Sequence, residues 1–376
     1  MTDQDAVDRH FMAEALRHGA THLGATWPNP SVGAIVTRET ETGPVIVGRG
    51  VTQPGGRPHG EAQAFAEAGT AAMGGTLYVT LEPCSHRSVR GGIPCVEHTI
   101  LSGVRRVVSA MADPNPFIAG LGHALLRSAG LEVVTGVMEE EAQRAHRGHV
   151  LRITQGRPMV TFKIARTADG YAGGPGGTPI KVSSDEAMLW VHRQRAHHDA
   201  IMLGIGSVLA DDPQLTVRIP GLEARSPVRV ILDSHLKLPP GSRLARTARQ
   251  VPVWVIAAET APIEPELALV DAGVEVMRVA AGADGHLDLA AALTLLGTRG
   301  ITRVFSEGGP RIGEKLALAG LADEIVVSTS ARALGETGIV AVRPDLARML
   351  ASPDLYRLAE TELIGDDRFE HFVRRG

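Results

Sequence analysis

The chain holds only two cysteines, Cys84 and Cys95, and both sit beside residues that suit metal chemistry better than a disulfide. A reducing cytosol disfavours a structural bridge, so thiolate ligation is the better reading of the pair. Pro58-His59-Gly60-Glu61 opens a predicted helix, Glu82-Pro83-Cys84 ends a predicted strand, and Pro94-Cys95 begins the next helix. One imidazole from His59 and two thiolates would hold a zinc ion and leave its fourth tetrahedral position open to water, as a catalytic site requires. The free N–H groups and positive dipole end of a helix N-terminus are expected to favour the thiolate of Cys95. Glu61 stands two residues beyond His59, placed to face that water without ligating the metal. It would take the water's proton as oxygen attacks an amidine carbon, then deliver protons to the departing amine. Taken singly, these residues read as a helix cap, a solvated charge and small core side chains. Together they read as a hydrolytic site that removes an amino group.

The second half offers different chemistry. Lys163, at the expected end of a strand over 159–165, and Asp211, in an expected loop, make a cation and a proton-handling carboxylate. The run 303–306 reads as a strand, followed by Glu307-Gly308-Gly309-Pro310 and a helix from Arg311. A helix N-terminus behind Gly308 and Gly309 suits a pyrophosphate, because its N–H groups point outward and glycine permits close approach. No G-x-G-x-x-G accompanies it, so a Rossmann site is not indicated. Ser183 and Glu186 form a capping box for a helix that ends in the basic tract His192, Arg193, Arg195, His197 and His198. By default such a tract complements the helix dipole.

These residues need elements to hold them. Val7, Phe11, Met12, Ala15 and Leu16 recur at helical spacing, and the β-rich runs 32–36 and 45–50 read as a hairpin. Helices over 59–68, 95–102 and 119–129 alternate with strands over 76–81, 104–109 and 131–134, the pattern of a layered α/β domain. Strands over 159–165, 200–203, 228–233, 251–257, 274–279, 303–306 and 324–328 give the second half an α/β pattern of its own. The polar stretch Ala145-His146-Arg147-Gly148 places the boundary between about 147 and 158, with domains at 1–147 and 158–376.

His-x-Glu followed by Pro-Cys and a second Cys is the signature of zinc nucleobase deaminases. Pro28-Asn29-Pro30-x-Val32-Gly33, Thr80-Leu81-Glu82-Pro83-Cys84-Ser85-His86, Asp113-Pro114-Asn115-Pro116, Phe162-Lys163-Ile164-Ala165 with Asp169-Gly170, and the stretch Gly206 to Arg218 carry the match further. Over nearly its whole length the chain resembles the bifunctional diaminohydroxyphosphoribosylaminopyrimidine deaminase/aminouracil-phosphoribosyl reductases of riboflavin biosynthesis. That resemblance implies a cytidine-deaminase-like α/β/α domain, then a dihydrofolate-reductase-like α/β domain, with zinc in the first and NADPH in the second. It implies that Asn29, His86, Asp113 and Asn115 hold the phosphoribosyl pyrimidine in the deaminase. In the reductase it implies Arg195, Leu215, Arg218 and Glu307 as substrate contacts, Lys163 and Asp211 as catalytic, and Lys181, Ser183, Gly308 and Gly309 at the cofactor. Gly60 stands where the family usually has Ala, Thr52 where His is frequent, Ala168 where Leu is typical and Lys181 where an aromatic is typical. Residues Ser85 to Pro94 separate the cysteines, about two more than usual. Lys181 is expected to reach a cofactor phosphate, with a solvated lysine as the alternative.

Composition sets the outer bounds. A chain of 376 residues exceeds what one core usually supports, so two domains are expected. At 44% hydrophobic and 21% charged residues the sequence reads as globular, with neither a membrane span nor a basic leader before an apolar run. A cytoplasmic location is expected. The net charge of -4 argues against a nucleic-acid partner, leaving small metabolites and, in the expected assembly, copies of the chain itself as a dimer or tetramer. Two other readings remain: a zinc deaminase with an inactive second domain, and a zinc-stabilised nucleotide-binding protein. A structural metal site has no use for an unligated carboxylate such as Glu61, which argues against the latter.

Overall fold

The computed structural model describes residues 3–86, 92–282 and 285–375. The middle of the loop between the cysteines, residues 87–91, lies outside the described residues, as do Met1 and Thr2 of the acidic start. The chain divides into two compact units, residues 1–156 and 157–376.

The first unit runs α1 (Asp3–Ala20), β1 (Gly33–Arg38), β2 (Val45–Val51), α2 (Gly60–Ala68), β3 (Thr76–Val79), α3 (Cys95–Leu101), β4 (Arg106–Ser109), α4 (Leu121–Ser128), β5 (Glu132–Thr135), α5 (Glu139–Ala145) and α6 (Arg147–Gln155). Its sheet has the order β2-β1-β3-β4-β5, with β1 antiparallel to both neighbours and β3, β4 and β5 parallel. Parallel strands covered on both faces read as apolar runs, and Leu77, Tyr78, Val79, Val107 and Val108 are all buried. Helix α1 adds Phe11, Met12 and Ala15 to that core, and Asp8 fixes it to β4 by accepting from both Arg106 guanidinium ends at 2.7 and 2.8 Å.

Two glycines bring α2 against the sheet. A Cβ at Gly50 would lie 1.9 Å from the Gly60 carbonyl oxygen, and a Cβ at Gly60 would lie 2.4 Å from that of Val32. The Gly60 departure thus accompanies a close helix–strand approach that alanine would disturb. Thr52 is buried, and its hydroxyl accepts from the Val32 N–H at 3.0 Å, so at this position the chain has a main-chain tie. Helices α5 and α6 occupy the polar stretch and belong to the first unit. Their apolar signal is sparse, with Ala142 and Leu151 the buried hydrophobic residues.

The second unit runs β6 (Met159–Arg166), β7 (Tyr171–Gly173), α7 (Asp185–Ala196), β8 (Ala200–Gly204), α8 (Ile205–Asp211), β9 (Val228–Leu232), α9 (Arg243–Arg246), β10 (Val253–Ala258), α10 (Glu264–Ala272), β11 (Glu275–Val279), α11 (Leu289–Thr298), β12 (Arg303–Ser306), α12 (Pro310–Leu318), β13 (Glu324–Thr329), β14 (Ile339–Val340), α13 (Pro344–Ala351), β15 (Tyr356–Ile364) and β16 (Asp367–Arg374). A nine-stranded sheet has the order β11-β10-β9-β8-β12-β6-β13-β16-β15. From β11 through β13 neighbours run parallel, and the β16–β15 hairpin closes the edge antiparallel. In open sheets of this kind ligands gather at the carboxyl ends of the strands.

Three expectations change here. Lys163 lies inside β6, not at its end, because the strand continues to Arg166 against β13. Asp211 is the last residue of α8, not a loop residue. The cap of α7 is Ser184, whose hydroxyl accepts from the Ala187 N–H, while Ser183 precedes it. Asp367 of β16 accepts from the Ser184 N–H at 3.0 Å and anchors that start, a tertiary contact the local capping-box spacing does not carry.

Candidate active sites

In the first unit the chain turns three times toward one point. His59 is the N-cap of α2, Cys84 follows β3, and Cys95 is the first residue of α3. His59 Nδ1 lies 3.3 Å from Cys95 Sγ and 3.7 Å from Cys84 Sγ, and all three ligand atoms fall within 4.8 Å of one another. Zinc with ordinary bond lengths in tetrahedral geometry separates nitrogen and sulfur donors by about 3.6 Å, so this donor set fits the ion. The Cys95 N–H at the start of α3 points to Cys84 Sγ at 3.4 Å. A side-chain hydrogen bond between the two cysteines draws the Cys84 thiol down to about 4, against burial and with help from His59 and then the Cys95 N–H. The same bond, burial and Glu61 push the Cys95 thiol up. The N-terminus of α3, which carries Cys95, thus also presents an N–H to Cys84.

Glu61 is 3% exposed on the first turn of α2. Burial pushes its carboxyl up, its side chain reaches Cys95, and its Oε2 has no hydrogen-bond partner among the described residues. Buried polar oxygens are rarely left so, and a raised carboxyl beside a metal-ligand cluster suits proton transfer.

Sequence reasoning did not single out Glu82. Its buried carboxylate accepts from four backbone N–H groups, those of Asp113, Gly120, Gly122 and His123, at 2.9, 2.8, 2.7 and 3.3 Å. One side chain thereby sets the course of residues 113–123, two positions before a metal-ligand cysteine. Asp113 Oδ1 in turn accepts from the Asn115 N–H at 2.8 Å, and burial pushes the Asp113 carboxyl up. Asn29 donates its amide to the Gly56 carbonyl at 2.8 Å. His86 is exposed. The sequence signal for Glu82 was present only as a letter in the Thr80–His86 motif.

The second unit gathers its charges around Glu307. Glu307, just past β12, makes a forked ion pair with Arg195 of α7 at 2.7 and 2.9 Å, and Arg195 donates also to the Thr216 carbonyl at 3.0 Å. Arg195 therefore does more than complement a helix dipole. Burial pushes the Glu307 carboxyl up, but Arg195 and then Lys163 outweigh it and hold the group below its ordinary value. Lys163 is 8% exposed; burial lowers its ammonium, Glu307 opposes, and Arg195 adds to the lowering. A cleft of about 360 Å³ beside this cluster is lined by Arg195, Asp211, Leu215, Arg218 and Arg243 among others. Desolvation raises the Asp211 carboxyl there. Gly309 caps α12 with Gly308 before it, and a Cβ on Gly309 would lie 3.6 Å from the Ser207 hydroxyl of α8. Lys181 is 71% exposed and pairs with Asp185 at 2.8 Å.

Comparisons with known proteins match this division. Residues 5–111 match the family model of the cytidine and deoxycytidylate deaminase zinc-binding region, and residues 158–366 match that of the RibD C-terminal domain. The riboflavin biosynthesis protein RibD of Aquifex aeolicus (strain VF5) is 37% identical over 330 residues, 88% of this chain and 88% of its own. That of Escherichia coli (strain K12) is 33% identical over 387 residues, 97% of this chain and 99% of its own. Acinetobacter baumannii RibD, form 2, superposes with a TM-score of 0.84 at 30% identity, covering 99% of this chain and 100% of that one. A Thermotoga maritima protein described as a diaminohydroxyphosphoribosylaminopyrimidine deaminase/5-amino-6-(5-phosphoribosylamino)uracil reductase superposes at 0.82 with 29% identity, covering 99% and 100%. The first unit is a cytidine-deaminase-like α/β/α domain with zinc as its cofactor, and the second is a dihydrofolate-reductase-like domain that uses NADPH. Among the described residues no helix is long and apolar enough to cross a membrane. The chain belongs to the RibD family of riboflavin biosynthesis, bifunctional enzymes that join a zinc-dependent deaminase to an NADPH-dependent reductase.

Proposed function

We propose that the chain acts on 2,5-diamino-6-(5-phosphoribosylamino)pyrimidin-4-one and yields 5-amino-6-ribitylaminouracil 5'-phosphate, with the residues above in defined roles. His59, Cys84 and Cys95 hold zinc, which when bound supplies the Lewis acidity that makes water a nucleophile near neutral pH. Water adds to the carbon that bears the exocyclic amine, the C–N bond breaks, and ammonia leaves with a carbonyl in its place. Glu61 takes the proton from the attacking water and delivers it to the departing nitrogen. Asn29, His86, Asp113 and Asn115 orient the pyrimidine and its ribose phosphate, on a loop whose path Glu82 fixes.

In the second unit NADPH, when bound, would supply the hydride that reduces C1 of the opened ribose. Lys163, held near Glu307 and lowered by burial, delivers the accompanying proton, with Asp211 at the rim of the cleft as its proton source. Arg195, Leu215, Arg218 and Glu307 form the subsite for the sugar phosphate. Lys181, Ser183, Gly308 and Gly309 line the cofactor's path. The functional boundary falls between residues 147 and 158, the enzyme works in the cytoplasm, and it assembles as a dimer or tetramer. The alternative with an inactive second unit is motivated by Ala168 and Lys181. The intact Lys163, Glu307 and Arg195 cluster supports the bifunctional reading.

The observation that carries this reading is the buried, unpartnered Glu61 oxygen beside a His-Cys-Cys cluster. Stripping the purified chain of metal with a chelator is expected to stop ammonia release, and stoichiometric zinc to restore it. Undiminished release from metal-free protein would refute the assignment.

A further inference from the structure

The loop between α8 and β9 is tied at one main-chain group after another. Arg229 of β9 donates to the Gln214 carbonyl at 3.1 Å, Arg195 to the Thr216 carbonyl at 3.0 Å, and Ser226 Oγ accepts from the Val217 N–H at 3.0 Å. His192 completes the series, since its Nδ1 accepts from the Arg218 N–H at 3.3 Å and its ring meets the Thr216 carbonyl. Within this span Leu215 is buried with φ +57°, a left-handed conformation that a γ-branched residue keeps only where its surroundings over-determine it. The loop is thus a braced one, and it forms a wall of the cleft into which Arg195, Arg218 and Arg243 face.

His192 lies three residues before Arg195, on the same face of α7, and is 7% exposed. Burial, then Arg195 and Arg218, hold its imidazole down to about 4, while Glu307 opposes them. The ring is therefore neutral at working pH with Nδ1 as an acceptor. A neutral acceptor is what this spot requires, because a protonated ring would present a donor to the Arg218 N–H and add positive charge beside two guanidiniums.

We propose that His192 is a positioning residue for the phosphate end of the reductase substrate. By accepting from the Arg218 N–H it fixes the backbone at the point where the Arg218 side chain enters the cleft, and so sets affinity for the phosphoryl group without touching it. Preorganising a cationic side chain removes the ordering cost from binding. The proposal rests on the reading of this cleft as the sugar-phosphate subsite, given above.

The test uses the full chain with the deaminated phosphoribosyl substrate and NADPH, comparing wild type with His192→Leu, His192→Asn and Arg218→Met. His192→Leu removes the acceptor and is expected to raise the substrate KM about tenfold, the size of one hydrogen bond, with kcat and the NADPH KM within about twofold of wild type. His192→Asn places its carbonyl oxygen near the position of Nδ1 and is expected to recover most of the substrate affinity. Should His192→Leu fail to fold, His192→Gln, whose carbonyl lies one carbon too far, takes its place with the same expected rise. A substrate KM at the wild-type value in the acceptor-less variant overturns the proposal, as does a fall in kcat with both KM values raised alike. The Arg218→Met arm separates the two layers of the argument. If it leaves the substrate KM unchanged, the phosphate reading of the cleft is wrong; if it raises KM while His192→Leu does not, the positioning role alone is wrong.

Discussion

The two sites hold charge in opposite ways. In the deaminase unit the reactive groups stand at element ends, on the first turns of α2 and α3 and just beyond β3, where His59, Cys84 and Cys95 converge on one point and one buried Glu61 oxygen has no hydrogen-bond partner among the described residues. In the reductase unit Lys163 lies within β6, Arg195 in the last turn of α7 and Glu307 just past β12, and they neutralise one another, with Arg195 and Glu307 forked together. A site built for a metal is left incomplete by the protein, and the ion completes it. A site built for an organic cofactor and a phosphorylated sugar is complete in itself, and substrate enters a field already set.

If that contrast holds, removing a ligand should damage the first unit most. Cys95→Ser is expected to bring zinc content toward zero, abolish deamination and destabilise the first unit, since binding energy at such a site is also folding energy. Metal analysis and thermal unfolding check this, and normal zinc stoichiometry would break the contrast. Glu61→Gln should act on chemistry alone, lowering ammonia release by about 10²- to 10⁴-fold while zinc stays bound. Substantial residual turnover in zinc-replete Glu61→Gln would falsify its proton-transfer role.

The reductase pair is expected to fail differently. Glu307→Gln leaves the buried Arg195 charge without its counter-ion and should cost about 3 to 5 kcal/mol of stability in that unit. The pH dependence sharpens this. Because the Glu307 carboxyl is held below its ordinary value of 4.5, its stabilisation is fully present above that value and is lost as pH falls through the lowered one. Acid melting of wild type should therefore show a loss of stability that the Glu307→Gln variant has already suffered; parallel acid profiles of the two proteins would count against the pair. The smallest effect belongs to Lys181. An exposed ion pair contributes about 0.2 to 1 kcal/mol, so Lys181→Met should weaken the preference for NADPH over NADH by a few-fold at most. That loss should appear at low salt and vanish at high salt, and equal NADPH affinities at low salt would leave Lys181 to its pairing with Asp185.

The same contrast governs how much was legible in the chain. His59, Glu61, Cys84 and Cys95 stood out because metal ligation demands rare residue types at element boundaries, and boundaries are marked locally by Pro58, Pro83 and Pro94. Glu82 did not, because its partners are backbone N–H groups 31 to 41 residues away, and main-chain partners leave no mark on residue type. The forked pair of Arg195 with Glu307 spans 112 positions, so local spacing did not set Arg195 apart from its helix-end tract and only the family resemblance did. The terminal hairpin was missed because β15 is an edge strand exposed along most of its length, which removes the apolar alternation that identifies a half-buried strand. Helices α5 and α6 escaped for a related reason, a narrow apolar stripe in a polar segment.

The central claim is that one chain performs deamination and then reduction. Supplied with zinc, NADPH and the diaminopyrimidine phosphoribosyl substrate, the purified full-length protein should release one ammonia for each NADPH oxidised, with NADPH consumption lagging behind ammonia. Ammonia release with no NADPH oxidation, even when the deaminated compound is added directly, would contradict the account and leave the second unit without its activity.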